Sequence, residues 1–300
     1  MIKLPSGIDI DTLIDDIRIL SWQAADILLY YSKLLESKDS KINILKNHNE
    51  KDPVTLADIK VNEMIIKYIN EKYKNINWDI LSEENEKTSS KIFNSKNDWI
   101  WVLDPLDGTK DFIQGTGNYA MHLALNFKQK PYIGFVLIPD KNQLWISDGE
   151  KTWCEKKDGS KYDPILFHNK NLQEMTLVTS KNHGNEILRN LIKKINFSKV
   201  EIMGSIGCKI ASIVRGDSDI YICLSLPGKS APKDWDFAAP ESILKASGGA
   251  ITNLDNQELC YGKNSFEQGG IIIATKNRET HRSICLEIKK IIEKYGIYPL

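Results

Sequence analysis

Residues 101–112 read WVLDPLDGTKDF, an apolar stretch that runs directly into two aspartates three positions apart and then a Gly-Thr pair. Residues 99–103 predict a buried strand that Asp104 closes. Pro105 fixes the backbone direction, and Asp107 returns to the same side after one tight bend, so both carboxylates can converge on one point. Because carboxylates this close repel each other, we expect a positive charge between them.

Three other acidic motifs have a structural explanation when each is taken alone. Thr55 and Asp58 in DPVTLAD fit a capping box that opens a helix. Glu83 and Glu84 follow the apolar strand WDIL, where acidic loop residues are usually just solvated. Asp236, in KDWDFAAPESILKASGG, stands at the start of a predicted helix and fits an N-cap.

Taken together, the four motifs point to a metal site. Several acidic loops without His or Cys companions offer hard oxygen ligands, which suit Mg²⁺ completed by water and substrate phosphate. The pattern matches hydrolysis by two ions ~3.5–4 Å apart that stabilise the attacking and leaving oxygens. Gly108 and Thr109 begin a turn or helix whose exposed N–H groups suit a phosphate oxygen.

Composition excludes several other classes of protein. The 300 residues are 41% hydrophobic and 27% charged, and the formal net charge is +0, so no strong field predicts a nucleic acid or a membrane as partner. The five cysteines are scattered, which favours reduced thiols over disulfides or zinc. No membrane-length run or basic leader is seen, and we expect a soluble, cytoplasmic protein.

Hydrophobic periodicity predicts a two-part α/β chain, with a first domain over 1–168 and a second over 169–300. The first part has helices over about 10–36 and 55–73, then strands in WDILSEE, DWIWVLD, AMHLALNF, YIGFVLIP and QLWIS, mostly antiparallel because the links are short, with a further short strand in INIL. In the second part the strands MTLVTS, KVEIM, DIYICL and GGAIT alternate with helices near 184–196, 206–215, 236–247 and 277–294.

The motifs DPVTLAD, SEE, DPLDGTKDF and WDFAAPESILKASGG, in this order and spanning residues 52–249, resemble the inositol monophosphatase superfamily of lithium-sensitive, Mg²⁺-dependent phosphatases. Within it the chain is similar to the CysQ-type 3'(2'),5'-bisphosphate nucleotidases. The resemblance implies an α/β fold, the five-layered α-β-α-β-α sandwich of the inositol monophosphatase and fructose-1,6-bisphosphatase type.

The resemblance also implies two to three Mg²⁺ ions and a ligand set. Glu83, Asp104 and the main-chain carbonyl of Leu106 would hold the first ion, while Asp104, Asp107 and Asp236 would hold the second. Glu83 would also touch a third, more weakly held ion.

The catalytic pair implied by the resemblance is Asp58 with Thr109, which would orient and deprotonate the attacking water. The N–H groups of Gly108 and Thr109 would receive the scissile phosphate. Glu84 matches an acid that often follows the metal ligand in this family.

Substrate contacts are implied at Gly204, Ser205, Lys209 and Asp236, of which the first three lie in GSIGCK. Lys209 could equally be a solvated surface lysine. The segment LSLPGKSAPK replaces a Tyr-Pro-Arg type segment of many bacterial relatives, so the remaining cations for a second phosphate include Lys229 and Lys233.

These features together predict a phosphomonoesterase that converts adenosine 3',5'-bisphosphate to AMP, clearing a by-product of sulfate activation. The alternatives are an inositol-phosphate or sugar-phosphate phosphatase on the same scaffold, or a phosphate-ligand binding protein without catalysis. We expect a small phosphorylated substrate, no nucleic acid polymer, no membrane, and a monomer or homodimer.

Overall fold

The computed structural model describes residues 2–36, 45–47, 54–89, 93–165, 169–180 and 186–297. Two mixed β-sheets, a small two-stranded sheet and eight α-helices occur in these residues. The predicted strand INIL lies outside the described residues except for Leu45, which begins a short strand.

The first half opens with two helices at the predicted positions. Helix α1 spans Ile10–Leu35 and is capped by Asp9, whose Oδ1 accepts from Thr12 N at 2.9 Å. Strands β1 (Leu45–Asn47) and β2 (Val54–Thr55) pair antiparallel, and α2 (Leu56–Lys72) follows at once. The predicted capping box is confirmed, because Thr55 N donates to Asp58 Oδ2 at 2.8 Å and Ala57 N donates to Thr55 Oγ1 at 3.1 Å.

A seven-stranded sheet forms the next layer, with its strands in chain order. The predicted antiparallel succession of five strands is confirmed from the second strand onward, whereas the first pair is parallel. The last two strands of the sheet, Thr152–Glu155 and Lys161–Tyr162, were not predicted and also pair antiparallel. The stretch of chain between Ser82 and Trp99 is long enough for the crossover that a parallel pair requires. The strands are β3 Asp79–Ser82, β4 Trp99–Asp107, β5 Ala120–Phe127, β6 Lys130–Ile138, β7 Gln143–Ser147, β8 Thr152–Glu155 and β9 Lys161–Tyr162; the short helices α3 Glu83–Thr88 and α4 Thr109–Gln114 flank β4.

The second half contains a five-stranded sheet in the order β11-β10-β12-β14-β13. Its strands are β10 Thr176–Thr179, β11 Lys199–Ile202, β12 Ile220–Ser225, β13 Ala250–Asn253 and β14 Gly270–Thr275, and its helices are α5 Glu186–Ile195, α6 Ile206–Arg215, α7 Asp234–Ala246 and α8 Arg278–Tyr295. The four predicted helices are confirmed to within a few residues. Strand β14 was not predicted, although it lies between β12 and β13 and pairs with both.

Hydrophobic packing stacks these elements in five layers. Helices α1 and α2 cover one face of the seven-stranded sheet, where Ile17 and Val61 share a core with Leu103. Helices α6 and α7 fill the space between the two sheets. Helices α5 and α8 cover the far face of the five-stranded sheet, where Leu191 and Ile288 share a core with strand residues. The predicted α-β-α-β-α sandwich is confirmed.

The division into domains at residues 168 and 169 stays a prediction. That point falls between the last strand of the first sheet and the first strand of the second. The central core contains side chains from both sheets, including Val136 and Ile272.

A buried histidine joins the last helix to the five-stranded sheet. His281 on α8 is 1% exposed, and its Nε2 and Nδ1 lie 2.8 Å from the hydroxyls of Thr252 on β13 and Thr275 on β14, respectively. Burial lowers the pKa of His281 to about 4.

Acidification should therefore destabilise the fold through His281. The imidazole has a pKa of about 6.5 in an unfolded chain. Below pH 6.5 the unfolded state therefore binds a proton at this histidine, whereas the folded state stays neutral until the pH is much lower. We expect this histidine to account for about 2 kcal/mol of the free energy of unfolding lost between pH 7 and pH 5. Urea unfolding of the wild type and of His281→Gln at both pH values measures it; an equal loss in the two proteins would contradict the assignment.

Candidate active site

Two acidic residues converge where strand β4 ends. Asp104 pairs with His122 on β5 and Asp107 pairs with Ala120, so three steps along β4 oppose two along β5 and the strand bulges. Leu106 N donates to Asp104 Oδ1 at 3.0 Å, closing the local turn. This bend brings the two carboxylates to one side, as the sequence predicted.

A third carboxylate comes from the start of helix α7. Asp236 is the third residue of this helix, not its N-cap as predicted, and its Oδ2 accepts from the backbone N of Lys233 at 2.5 Å. One side-chain oxygen each from Asp104, Asp107 and Asp236 lies within 4.8 Å of the others. We call these three residues the carboxylate cluster.

The environment of the carboxylate cluster opposes negative charge. Burial is the main cause that raises the pKa of Asp104, and the charges of Glu83, Asp107 and Asp236 raise it further. The pKa of Asp236 is raised by burial first and then by Asp107 and Glu83. A bound divalent cation would favour the ionised carboxylates and so lower these pKa values. Three converging carboxylates without a nitrogen or sulfur ligand among them fit Mg²⁺ by ligand type.

The predicted ligand Glu83 begins helix α3, beside the cluster. Its Oε1 lies 2.9 Å from Lys87 Nζ, and the same ammonium lies 3.2 Å from Glu84 Oε1. Lys87 therefore neutralises part of the negative charge that this turn brings to the site.

One of the two carboxylate oxygens of Asp107 accepts hydrogen bonds from the start of helix α6. Its Oδ2 accepts from Ser205 Oγ at 2.6 Å and from the backbone N of Ile206 at 2.5 Å, while Gly207 N lies 3.4 Å away. These donors form the N-terminus of α6, which favours a negative charge. Among the described residues, Oδ1 of Asp107 receives no hydrogen bond.

The predicted pair Asp58 and Thr109 lies within reach of each other. Asp58 Oδ2 accepts from the hydroxyl of Thr55 at 2.5 Å, and Thr109 Oγ1 lies 3.5 Å from Asp58 Oδ1 and 3.1 Å from the carbonyl of Leu106. Burial raises the pKa of Asp58 to about 7, with Glu84 and Glu83 adding to the rise and Thr55 opposing it. Asp58 thus serves the helix cap with one oxygen and faces Thr109 with the other.

Gly108 and Gly204 permit the close approach of two segments. Gly108 precedes α4 with φ +86°, and a Cβ there would lie 3.1 Å from both Asn118 O and Ser205 N. A Cβ on Gly204 would lie 2.3 Å from Asp111 Cγ and 2.5 Å from Asn118 O. Only residues without a side chain fit at this junction of β4, β5 and α6.

The structure buries Lys209, so the surface-lysine alternative is wrong. The side chain is 1% exposed, its ammonium donates to the carbonyl of Gly204, and it lies 5.7 Å from the ring centre of Tyr221. Burial lowers the pKa of Lys209, while Asp107 opposes the change. Lys229 is exposed, and Lys233 Nζ lies 5.0 Å from the ring centre of Trp235.

Sequence reasoning missed two buried polar residues beside the site. His122 on β5 has its Nε2 3.4 Å from Asp107 Oδ2. Asn62 on α2 accepts from Ser82 Oγ at 2.5 Å and donates to Asn85 Oδ1 at 2.9 Å, which ties α2 to the turn that carries Glu83. The lone histidine within the apolar strand AMHLALNF was the available signal for the first, whereas the second is visible only in three dimensions.

Comparison with known proteins agrees with this architecture. The sequence profile of the inositol monophosphatase family matches residues 11–293. The 3'(2'),5'-bisphosphate nucleotidase CysQ of Buchnera aphidicola is 31% identical over 213 residues, 71% of this chain and 76% of that protein. The 3'(2'),5'-bisphosphate nucleotidase of Dictyostelium discoideum is 28% identical over 286 residues, 88% of this chain and 83% of that protein.

Solved structures share the fold. The staphylococcal inositol monophosphatase II with bound inositol monophosphate superposes with a TM-score of 0.70 at 22% identity, covering 95% of this chain and 96% of that one. The same enzyme with bound 2'-AMP gives a TM-score of 0.68 at 21% identity, covering 95% and 98%.

The chain therefore belongs to the inositol monophosphatase family. It is a family member of the CysQ type, and hence an enzyme of the phosphatase class rather than a binding protein without catalysis. In the described residues, no helix is long and apolar enough to cross a membrane.

The tight packing of Gly204 generates a stability prediction. Gly204→Ala places a methyl group against the backbone of Asn118, which cannot move cheaply, and should lower the free energy of unfolding by about 1–3 kcal/mol. Gly269→Ala is the matched control, because a Cβ there meets nothing within 4 Å, and its effect should stay within about 0.5 kcal/mol. Equal urea midpoints for the two variants would show that the junction is looser than described.

Proposed function

We propose that this phosphatase is Mg²⁺-dependent and removes the 3'-phosphate of adenosine 3',5'-bisphosphate to give AMP. The observation that carries the proposal is the carboxylate cluster, whose oxygens lie within 4.8 Å of one another beside the pair Asp58 and Thr109. The names of the relatives support the nucleotide substrate. The reaction would clear a by-product of sulfate activation in the cytoplasm, where the five cysteines, all free, would stay reduced.

Two to three Mg²⁺ ions are proposed to bind here. Glu83, Asp104 and the carbonyl of Leu106 would hold one, Asp104, Asp107 and Asp236 a second, and Glu83 would contact a third. When bound, such ions polarise the phosphoryl oxygens and stabilise the attacking and leaving oxygens. Competition by Li⁺, a small hard cation, is expected from the same all-oxygen ligand set.

The attacking water is proposed to be oriented and deprotonated by Asp58 and Thr109. Asp58 Oδ2 is occupied by the hydrogen bonds from Thr55, so Oδ1 is the oxygen that faces Thr109. The Thr109 hydroxyl lies closer to the carbonyl of Leu106, at 3.1 Å, and would turn its proton to Oδ1 when that carbonyl serves the proposed metal. A hydroxyl that donates to a carboxylate can in turn accept a proton from water on its lone pair. The N–H groups of Gly108 and Thr109 would receive the scissile phosphate.

The second phosphate of the substrate requires a cation outside the cluster. Lys209, whose ammonium donates to the carbonyl of Gly204, is proposed to supply it, together with contacts from Gly204, Ser205 and Asp236. Lys229 and Lys233 are the other candidates. The protein is proposed to act on a small molecule as a monomer or homodimer.

Hydrolysis of inositol or sugar monophosphates is the second candidate. A protein of the same fold has been solved with inositol monophosphate and with 2'-AMP. A phosphate-release panel with purified protein, adenosine 3',5'-bisphosphate and inositol 1-phosphate decides between the two.

Asp107→Asn should lower kcat by about a thousandfold or more, because metal-assisted stabilisation is worth several kcal/mol of the barrier. The amide oxygen can still accept from Ser205 and Ile206, so the thermal unfolding midpoint should change little. The measurement is phosphate release across a Mg²⁺ titration. Asp98→Asn removes an exposed carboxylate and serves as the control. If Asp107→Asn turns over substrate within a few-fold of the wild-type rate at saturating Mg²⁺, Asp107 is not a metal ligand.

Thr109→Ala should behave differently from Asp107→Asn. Losing the hydroxyl disturbs the water rather than the ions, so we expect kcat to fall by about a hundredfold or more while the Mg²⁺ concentration for half-maximal rate stays unchanged. Stopped or continuous phosphate assays over the same titration measure both values. A parallel loss of Mg²⁺ dependence would place Thr109 among the metal-binding groups instead.

Substrate preference should depend on Lys209. We expect a higher kcat/KM for adenosine 3',5'-bisphosphate than for inositol 1-phosphate, and Lys209→Met, which keeps the chain length, should reduce the ratio about tenfold to a hundredfold. The control is Lys151→Met, an exposed lysine in the turn between β7 and β8. An equal loss on both substrates would make Lys209 structural, and a wild-type preference for inositol 1-phosphate would favour the second candidate.

A further inference from the structure

A buried histidine lies between the three segments that carry the carboxylate cluster. His122 on β5 is 0% exposed, and its Cα is the cross-strand partner of Asp104. Its Nε2 lies 3.4 Å from Asp107 Oδ2, and its Nδ1 lies 3.4 Å from the carbonyl of Trp235, the residue before Asp236. The ring thus adjoins the backbone or side chain of every segment that contributes to the cluster.

The two acceptors that face the ring compete for one proton. A neutral imidazole carries a single N–H. The carbonyl of Trp235 lies inside helix α7, where the backbone ladder already serves it, whereas Asp107 offers a carboxylate, which is the stronger acceptor. This favours the tautomer in which Nε2–H points at Asp107 Oδ2. Within the described chain, Nε2 is a buried polar atom without a hydrogen-bond partner, and the carboxylate that faces it is that of Asp107, with Oδ2 3.4 Å away.

His122 approaches Asp107 from a different part of the fold than the hydrogen-bond donors do. Ser205, Ile206 and Gly207 belong to the N-terminus of α6, while His122 comes from the seven-stranded sheet. A Cβ on Gly207 would lie 2.2 Å from His122 Nε2, so the glycine lets α6 approach the ring and Asp107 together. The α6 donors and the His122 ring thus meet Oδ2 from two directions, whereas Oδ1 receives no hydrogen bond from the described residues.

We propose that His122 is a positioning residue for Asp107: its ring, with Nε2–H facing Oδ2, limits the carboxylate rotation and would leave Oδ1 for the metal. The inference rests on the proposed Mg²⁺ site. Groups that orient a ligating carboxylate typically contribute ten- to a hundredfold to metal affinity.

The test separates the two ring nitrogens. The amide nitrogen of Gln reaches about as far as Nε2, and that of Asn about as far as Nδ1, so His122→Gln keeps the donor to Asp107 and His122→Asn keeps only the contact with Trp235. We expect His122→Asn to weaken Mg²⁺ binding by about ten- to a hundredfold and His122→Gln to stay within about threefold of wild type. Calorimetric titration with MgCl₂ alone, without substrate, measures the dissociation constants.

Controls distinguish positioning from loss of stability. His281→Gln alters another buried histidine far along the chain on α8, and should lower the thermal midpoint in EDTA without changing the Mg²⁺ dissociation constant. Gly207→Ala displaces the ring from the other side and should weaken Mg²⁺ binding like His122→Asn, which provides a second route if a His122 variant does not fold.

Four outcomes would overturn the inference. Equal Mg²⁺ affinity in wild type and His122→Asn removes any role for the ring. Equal losses of Mg²⁺ affinity in His122→Gln and His122→Asn would reduce His122 to packing, and so would a loss of Mg²⁺ affinity in His281→Gln that accompanies its lower thermal midpoint. If the wild-type protein binds no Mg²⁺, both the proposed metal site and the role of His122 are wrong. If the wild type binds Mg²⁺ and the His122 variants bind it equally well, only the role of His122 is wrong.

Discussion

Electrostatic repulsion among three converging carboxylates, one buried and two half-buried, is the constraint on which the arrangement around Asp104, Asp107 and Asp236 depends. Each acid meets a backbone donor: Leu106 N for Asp104, Ile206 N for Asp107 and Lys233 N for Asp236. These neutral dipoles orient the carboxylates but leave the net negative charge in place. A cation is needed to balance this negative charge, and the carboxylate oxygens suit a hard cation.

The constraint explains why the site lies where the two halves of the chain meet. Strand β4 delivers two carboxylates from the seven-stranded sheet, and helices α6 and α7, in the layer between the sheets, deliver the donors and the third carboxylate. Both helices present their N-termini, where backbone N–H groups and the helix dipole favour negative charge. A layer shared by both sheets thus brings Asp236, from the second half of the chain, to Asp104 and Asp107 from the first half.

Glycines and buried polar groups keep these segments at close range. A side chain at position 204 would clash with Asn118, and one at position 207 would clash with His122. Because Gly204 and Gly207 have no side chain, α6 can approach the end of β4. The buried ammonium of Lys209 donates to the carbonyl of Gly204 and so supports this turn from the protein interior. The turn at 204–207 is therefore supported on one side by the strand and on the other by its own helix.

Much of this protein could be predicted from the sequence because the relevant interactions are local. The periodicity of α1, the capping box of Thr55 and Asp58, and the convergence of Asp104 with Asp107 depend on residues only a few positions apart, and all three were predicted. Strand β14 escaped prediction, and its side chains face a core on both sides, so no polar alternation marks it. The parallel pairing of β3 with β4, the third-residue position of Asp236, the burial of Lys209 and the contact of His122 with Asp107 were decided only by tertiary structure. Each depends on the distance between segments tens of residues apart, and that distance is set by how the layers pack rather than by any pattern along the chain.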